Sequence, residues 1–172
     1  MTLAERVYRL IYRKRFRETG EIPYYWKYSV FTIVAKPIRK FFSAVFIPNI
    51  PFNGLRVLFY RMCGYKIGKS VFIGMKCYLD DMCYDMIVIE DDVTILYGVY
   101  FACHGRKQGH NTIVIKRGAY IGMRASIIAR QDIEIGEDSI IGACTLVNKS
   151  VPASFISVGI PNKNTPPHRL SK

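Results

Sequence analysis

The sequence predicts an all-β fold in its second half, a parallel β-helix of stacked six-residue repeats, after a helical and basic N-terminal region. Two observations lead to this prediction: an aliphatic residue recurs every six positions from Ile67 onward, and positive charge is concentrated before that point. Residues 1–66 hold 13 Lys or Arg and 3 Glu, whereas residues 67–172 hold 12 and 10. With 172 residues, 50% of them hydrophobic, the chain is long enough for one packed domain and an appendage.

The repeat has Ile at its first position and a small residue at its fifth. It occurs at residues 67–71, 73–77, 89–93, 95–99, 115–119, 121–125, 135–139 and 141–145. The fifth residue of one repeat and the first of the next are two apart, so on a strand both face the same side and fill a narrow interior. Five of the repeats carry Gly directly after Ile, where a chain that turns a corner needs a residue without a Cβ penalty. An antiparallel β-sandwich is the alternative, but its strands recur about every 8–12 residues.

The repeat is interrupted twice. Residues 101–112 lose the six-residue period and gain two Gly together with basic and amide side chains, which predicts a loop over 102–112 that leaves the helix. Loops on a rigid scaffold are where binding and catalytic residues concentrate. Further on, Ile121, Ile127 and Ile133 keep the step of six, but the next repeat begins at Ile135, two residues later.

These repeats resemble those of the hexapeptide-repeat acyltransferases, in particular the maltose, galactoside and polysaccharide O-acetyltransferases and serine acetyltransferase. The resemblance runs from about Ile67 to Lys163. It implies triangular coils wound left-handedly, an exception to the right-handed crossover rule, and a homotrimer with active sites between subunits. We therefore divide the chain into a basic helical region (1–66), a left-handed β-helix acyltransferase domain (67–163) and a C-terminal tail (164–172).

The resemblance also implies a general base. In such enzymes a His at the mouth of the protruding loop takes the proton of the acceptor, and His104 occupies that place. An imidazole, with a pKa of about 6.5, suits this role at neutral pH. His110, six residues later, is the competing candidate. The chain has three His in all, and His168 lies beyond the repeats, so we expect no three-His zinc site such as the β-helical carbonic anhydrases use, and no metal.

Acetyl-coenzyme A is the co-substrate that the resemblance implies, and the C-terminal repeats contain similar donor-binding stretches. The predicted cofactor-binding residues are Tyr120, Gly122, Gly142, Ala143, Lys149, Gly159, Pro161, Asn162 and Lys163. The two Lys would contact phosphate groups, Gly142 and Ala143 the pantetheine arm, and residues 159–162 the adenine edge. Two residues depart from the family's usual pattern: Tyr120 stands where many members carry Trp, and Asn162 where Ala is usual.

The predicted acceptor is a hydroxyl of a sugar, a glycan or a lipid-linked polysaccharide precursor. The resemblance to maltose acetyltransferase suggests an acidic residue on the coil before the loop, which Asp80 and Asp81 supply, with Asp92 as a further candidate. Two other functions stay open at this stage. One is N-acetylation of an amino sugar, and the other is a non-enzymatic β-helix scaffold at a membrane.

The N-terminal region allows two interpretations. Its first 20 residues predict a basic amphipathic helix, and residues 1–50 combine basic, aromatic and short apolar runs that favour an anionic membrane surface. The alternative is a helical cap over the first coil or against a neighbouring subunit. No nucleic-acid-binding motif accompanies the charge, so no nucleic acid is expected. Five Cys without a paired framework and the absence of a secretory signal favour a cytoplasmic location, peripheral on the inner membrane face if the region binds lipid.

Overall fold

The computed structural model describes residues 37–103 and 110–166. The predicted N-terminal helix, the loop residues 104–109 with His104, and the end of the tail with His168 lie outside the described residues. From Lys40 onward the chain forms one compact unit. In its described part, this unit begins with helical segments over Phe42–Phe46 and Ile47–Asn49 and an α-helix, α1 (Asn53–Met62), and then continues into short strands.

The strands are two or three residues long, and within the described residues they form three sheets. They are β1 (Lys66–Ile67), β2 (Phe72–Ile73), β3 (Ile87–Ile89), β4 (Thr94–Ile95), β5 (Tyr100–Ala102), β6 (Ile113–Ile115), β7 (Tyr120–Ile121), β8 (Ser126–Ile128), β9 (Ile133–Ile135), β10 (Ile140–Ile141), β11 (Leu146–Val147), β12 (Ile156–Val158) and β13 (Lys163–Thr165). A four-stranded sheet has the order β1-β3-β6-β9, a six-stranded sheet β2-β4-β7-β10-β12-β13, and a three-stranded sheet β5-β8-β11. The chain visits the three sheets in turn, which confirms the predicted parallel β-helix.

The coils stack in register. In the six-stranded sheet Ile73 pairs with Ile95, Ile95 with Ile121, and Ile121 with Ile141. These first-position side chains are buried, and so are the fifth-position side chains; Ile67, in the first coil, is half-buried. Because a buried Ile contributes about 1.5–3 kcal/mol, the stacked Ile rows are a main source of stability.

The shift of two residues at Ile133 has a structural explanation. Strands β3, β6 and β9 have three residues each, and the first and third face the interior. Ile133 and Ile135 therefore both fill the core, while Glu134 points outward. The shift adds a second inward residue to one side of the coil and leaves the stacking intact.

The Gly that follows Ile is needed because the next coil packs closely against it, and not for the turn of the corner as the sequence predicted. A Cβ on Gly122 would lie 2.6 Å from the backbone N of Ala143 and 2.7 Å from the carbonyl C of Gly142, so the next coil leaves no room for it. The positive φ of the corner falls two residues later, at Arg124 with φ of 55°. These Gly therefore permit close stacking of coils, and the left-handed residue that makes the turn is usually not Gly.

The first coil is closed by side chains of α1, beginning with its first residue, Asn53. The side-chain amide of Asn53 donates to the Val71 carbonyl at 3.0 Å and accepts from the Ile73 N–H at 3.0 Å. Arg56 is buried and its Nε donates to the Ile73 carbonyl at 2.7 Å. Tyr60 donates to the carbonyl of Cys77. Polar groups at the end of a parallel sheet, which would otherwise require water, are thus satisfied by side chains.

The last coil is closed by a strand that runs the other way. β13 pairs antiparallel with β12, so the predicted domain boundary at residue 163 falls inside a strand. Asn162 is buried beside it, and its amide donates to Ser157 Oγ at 2.9 Å and to Asn164 Oδ1 at 3.0 Å. The departure from the family's usual Ala at this position therefore has an internal structural role.

Neighbouring residues of β10 give a matched test of the core. Ile141 is fully buried, whereas the adjacent Ile140 is 43% exposed on the outer face. Ile141→Ala should lower the free energy of unfolding by about 2–5 kcal/mol, because it leaves a cavity in the stack. Ile140→Ala should cost less than about 1 kcal/mol. Urea denaturation of both variants measures the difference, and equal losses would contradict the inward placement of Ile141.

Candidate functional site

Three corners join the sheets of each coil. The first corner follows the four-stranded sheet (residues 90–93 and 116–119), the second follows the six-stranded sheet (96–99, 122–125 and 142–145), and the third follows the three-stranded sheet (among the described residues, 79–86, 103, 110–112 and 129–132). The predicted loop leaves at the third corner. The described residues of this corner therefore show which contacts hold the two ends of the predicted loop.

The loop begins at a point held by a buried carboxylate. Asp80 is fully buried, and its Oδ2 accepts the backbone N–H of Cys103 at 2.8 Å. Its other oxygen accepts the N–H of Met82 at 3.0 Å. Hydrogen bonds to a charged carboxylate are stronger than neutral ones, so Asp80 fixes the backbone that directly precedes His104.

The loop returns to the helix at the same place. The backbone N–H of Asn111 donates to the Cys103 carbonyl at 2.9 Å, which joins the two ends of the loop. The Asn111 side chain donates to the Ala129 carbonyl on the next coil at 2.9 Å. The N–H of Thr112 donates to Asp132 at 2.7 Å, and this bond lowers the pKa of the Asp132 carboxyl. These hydrogen bonds fix the residues on either side of the predicted loop.

His110, at the returning end, contacts a buried thiol. Its Nδ1 lies 2.9 Å from Sγ of Cys83. Burial, with smaller contributions from nearby carboxylates, raises the pKa of Cys83 to about 11, and burial likewise raises the pKa of Cys103. Both thiols are therefore protonated at neutral pH, and neither is an activated nucleophile. The sequence did not single out Cys83, because it lies 27 residues from His110.

Asp81 also has internal partners. It accepts a short hydrogen bond from the Tyr78 hydroxyl, and its Oδ2 is 3.4 Å from Nζ of Lys40. Burial and the bond to Asp81 raise the pKa of Tyr78, so that the phenol stays protonated. The Tyr78 ring stacks on Tyr100, with ring centroids 4.7 Å apart. An aromatic pair, with Tyr100 exposed, therefore lies on the same side of the coils as the base of the loop.

The three predicted acceptor-binding carboxylates do not come together. Asp80 and Asp81 are neighbours at the third corner, but both are buried and engaged. Asp92 is exposed at the first corner, where it adopts a φ of 58° as the turning residue. A role of any of them in acceptor binding stays a prediction.

The predicted donor residues lie mostly along the second corner. Gly122 stacks against Gly142 and Ala143, and Gly142 in turn lies against Val158. Tyr120 is exposed on the outer face of the six-stranded sheet, Gly159 follows β12 with a φ of 100°, and Pro161 and Lys163 are also exposed. Lys149 is exposed after β11, at the third corner. Asn162 is buried, its side chain faces inward, and its backbone N–H donates to the Leu146 carbonyl at 2.9 Å, so it offers a ligand little accessible surface.

A groove of about 650 Å³ lies at the first corner, which the sequence did not mark. Its lining includes Lys116, whose Nζ is 3.0 Å from Glu90 and whose pKa this contact raises. Lys116 also approaches Glu134 at 4.0 Å, so its charge is balanced by carboxylates of both neighbouring coils. Within residues 37–103 and 110–166, no three His, Cys, Asp or Glu side chains are arranged as ligands of a metal ion.

The stacked six-residue repeats and the loop at one corner define a hexapeptide-repeat β-helix protein. No family model matches the chain. The serine acetyltransferase of Mycobacterium tuberculosis is 33% identical over 106 residues, which are 59% of this chain and 45% of that protein. The serine acetyltransferase of Salmonella typhimurium is 38% identical over 96 residues, 56% of this chain and 34% of that protein. The chain thus spans less than half the length of these curated relatives.

Solved structures agree with the fold. A hexapeptide-repeat containing acetyltransferase from Vibrio cholerae superposes with a TM-score of 0.61 at 20% identity, over 77% of this chain and 90% of that one. A structure of that protein complexed with acetyl-coenzyme A gives a TM-score of 0.60 at the same identity, over 79% and 88%. The comparisons confirm the predicted resemblance to the hexapeptide-repeat acetyltransferases.

The base of the loop can be tested through Asp80. In Asp80→Asn an N–H₂ group replaces one acceptor oxygen, so one of the two backbone N–H groups loses its partner. We expect a loss of about 1–3 kcal/mol in the free energy of unfolding. Asp92→Asn is the matched control, because Asn tolerates the left-handed conformation and the side chain is exposed, and it should change stability by less than about 0.5 kcal/mol. Similar thermal unfolding of both variants would show that Asp80 does not hold the loop.

Proposed function

We propose that the protein is an acetyl-coenzyme A-dependent acyltransferase that acetylates a hydroxyl of a sugar, a glycan or a lipid-linked polysaccharide precursor. The observation that supports this function is the loop base at the third corner, where a rigid β-helix presents a segment that carries His104 and ends at His110. The serine acetyltransferases among the relatives, and the Vibrio cholerae protein with its acetyl-coenzyme A complex, favour the same donor.

His104 is the proposed base. It takes the proton of the acceptor hydroxyl while the oxygen forms a bond to the thioester carbonyl carbon, and the C–S bond then breaks as the proton passes to the leaving thiolate, which becomes the free thiol. Direct transfer needs no covalent enzyme intermediate, which agrees with the protonated state of Cys83 and Cys103. Charge that develops on the thioester oxygen would be stabilised by a backbone N–H of a neighbouring coil.

His110 is the second candidate base. Its contact with Cys83 orients the imidazole at the returning end of the loop, as a base must be oriented by a further group. The Cys83 thiol is uncharged at neutral pH, so it would hold the ring by a weak hydrogen bond.

A ring-shaped acceptor is favoured by the stacked tyrosines. The exposed ring of Tyr100 offers an apolar face and its own hydroxyl, and it is held by stacking on Tyr78, whose hydroxyl is bonded to the buried Asp81. A sugar has both an apolar ring face and hydroxyls, so this surface suits it. Serine is the other acceptor to test, because the curated relatives are named serine acetyltransferases. An amino sugar would make the same transfer an N-acetylation.

We propose a homotrimer as the active form. Most predicted donor residues lie at the second corner and the loop at the third, at opposite ends of the strands of the three-stranded sheet. A neighbouring subunit would bring its loop to this subunit's donor residues and complete an inter-subunit site. The charge and exposure of Lys149 and Lys163 suit them to contact the phosphates of the donor.

The donor is tested by calorimetric titration of the purified protein with acetyl-coenzyme A and with coenzyme A. Micromolar binding is expected, and Lys163→Ala should weaken it about tenfold through the loss of a phosphate contact. Lys69→Ala removes an equally exposed charge at the other end of the β-helix and should leave binding unchanged. If no binding is detected at millimolar donor, the transferase proposal is wrong and the non-enzymatic scaffold takes its place.

The base is tested by thiol release with sugar, amino-sugar and serine acceptors. His104→Ala should lower turnover by about 10²- to 10⁴-fold while donor binding in the titration is retained. His110→Ala should lose much less activity. The opposite ranking of the two variants would assign the base to His110, and full activity of both would exclude general-base catalysis from this loop.

A further inference from the structure

A second surface, distinct from the loop, lies on the cap. The outer side of α1 and the segment before it expose large apolar side chains, which we call the apolar cap face. Its members are Phe42, Val45, Phe46, Phe52, Leu55, Leu58 and Met62. The last four are spaced by three, three and four residues, which places them along one side of the helix. The opposite side of α1 buries Arg56, Val57 and Tyr60 against the first coil.

The apolar cap face is unlike a normal protein surface. Phe52 is 67% exposed and Met62 72% exposed, so neither belongs to the core of the described unit. Single exposed apolar residues are common, but seven on one side of a helix and the segment just before it mark an interaction site. Since α1 has ten residues and no helix in the described ranges is long and apolar enough to cross a bilayer, any contact with lipid would be made by lying on its surface.

The sequence around this face is mainly basic, although Lys40 is paired with Asp81 at 3.4 Å. Between Glu21 and Asp80 the sequence has nine Lys or Arg and no Asp or Glu. The described members that are exposed are Lys40, Arg61, Lys66, Lys69 and Lys76. A second copy docked through the same face would bring like charges together, which opposes association. Anionic lipid instead offers an apolar interior and a negative headgroup layer, and complements both properties of the surface.

We propose that the apolar cap face binds the surface of an anionic membrane, with its side chains inserted among the acyl chains and the surrounding Lys and Arg at the headgroups. Bound in this way, the protein would work at a lipid surface with the β-helix projecting from it. This inference does not rest on the proposed transferase activity, since it uses neither the loop nor the donor residues.

The test uses the full chain and sedimentation with two kinds of vesicle. Vesicles of equal parts phosphatidylglycerol and phosphatidylcholine should bind the protein, and pure phosphatidylcholine should bind it at least about tenfold more weakly. Raising NaCl from about 0.1 to 0.5 M should release most of it, because the Debye length falls below the size of the charged layer. Equal binding to both vesicles, or none to either, would overturn the proposal.

A charge-neutral pair of substitutions locates the contact. Leu55→Gln combined with Leu58→Gln removes apolar side chains that are 46% and 48% exposed and keeps strong helix formers, so folding should be retained. Vesicle binding should fall at least about tenfold. Met123→Gln with Ile140→Gln, at 51% and 43% exposure elsewhere on the β-helix, is the matched control and should bind as wild type. Binding unaffected by the first pair would overturn the assignment of this face.

Light scattering of the same variants shows whether the apolar cap face binds a membrane or a second copy of the chain. The Leu55 and Leu58 variant should keep the oligomeric state of the wild type, with circular dichroism to check its fold. A smaller assembly would show that this face joins subunits, which contradicts the proposal. Donor titration of this variant should match the wild type, so that failure of membrane binding and failure of the transferase proposal are told apart.

Discussion

The in-register stacking of coils is the constraint on which the other features of this protein depend. In the six-stranded sheet each inward Ile from Ile95 to Ile141 lies on the equivalent Ile of the coil before it, and backbone hydrogen bonds join the same positions of successive coils. Such an arrangement allows almost no variation in the spacing between coils. It therefore determines which corners need Gly and where an insertion has to leave the stack.

At each end of the described stack, the outermost strand has backbone N–H and C=O groups with no further coil to pair with. At the first coil, Asn53, Arg56 and Tyr60 reach from α1 to backbone carbonyl groups. Burial lowers the pKa of Arg56, and an arginine with its high intrinsic pKa still remains charged, so it can satisfy carbonyl groups strongly in an apolar setting. At the last coil, β13 occupies the edge as an antiparallel strand. Both ends are thereby protected from pairing with another chain.

The proposed reaction site and the proposed membrane surface lie outside the stacked core. The interruption of the repeat falls between β5 and β6, at the third corner, where a change of sequence need not disturb the inward rows. A buried carboxylate at Asp80 and the contact between Asn111 and Cys103 connect the loop to the rigid part. The apolar cap face lies on α1, on the side turned away from the first coil. The proposed reaction site and the proposed membrane surface thus lie on different elements, so each could be changed without the other.

The sequence by itself determined the coil architecture and the inward residues, because a six-residue period repeats locally and every repeat carries the same information. The tertiary structure decided the roles that depend on contacts between distant residues. Asp80 meets Cys103 across 23 residues, Cys83 meets His110 across 27, and Arg56 meets Ile73 across 17. No local period encodes these pairs. Gly122 and Asn162 were marked by the sequence for a ligand, but the structure gives both a packing role, because the closeness of adjacent coils and the geometry of the last one appear only after the chain has folded.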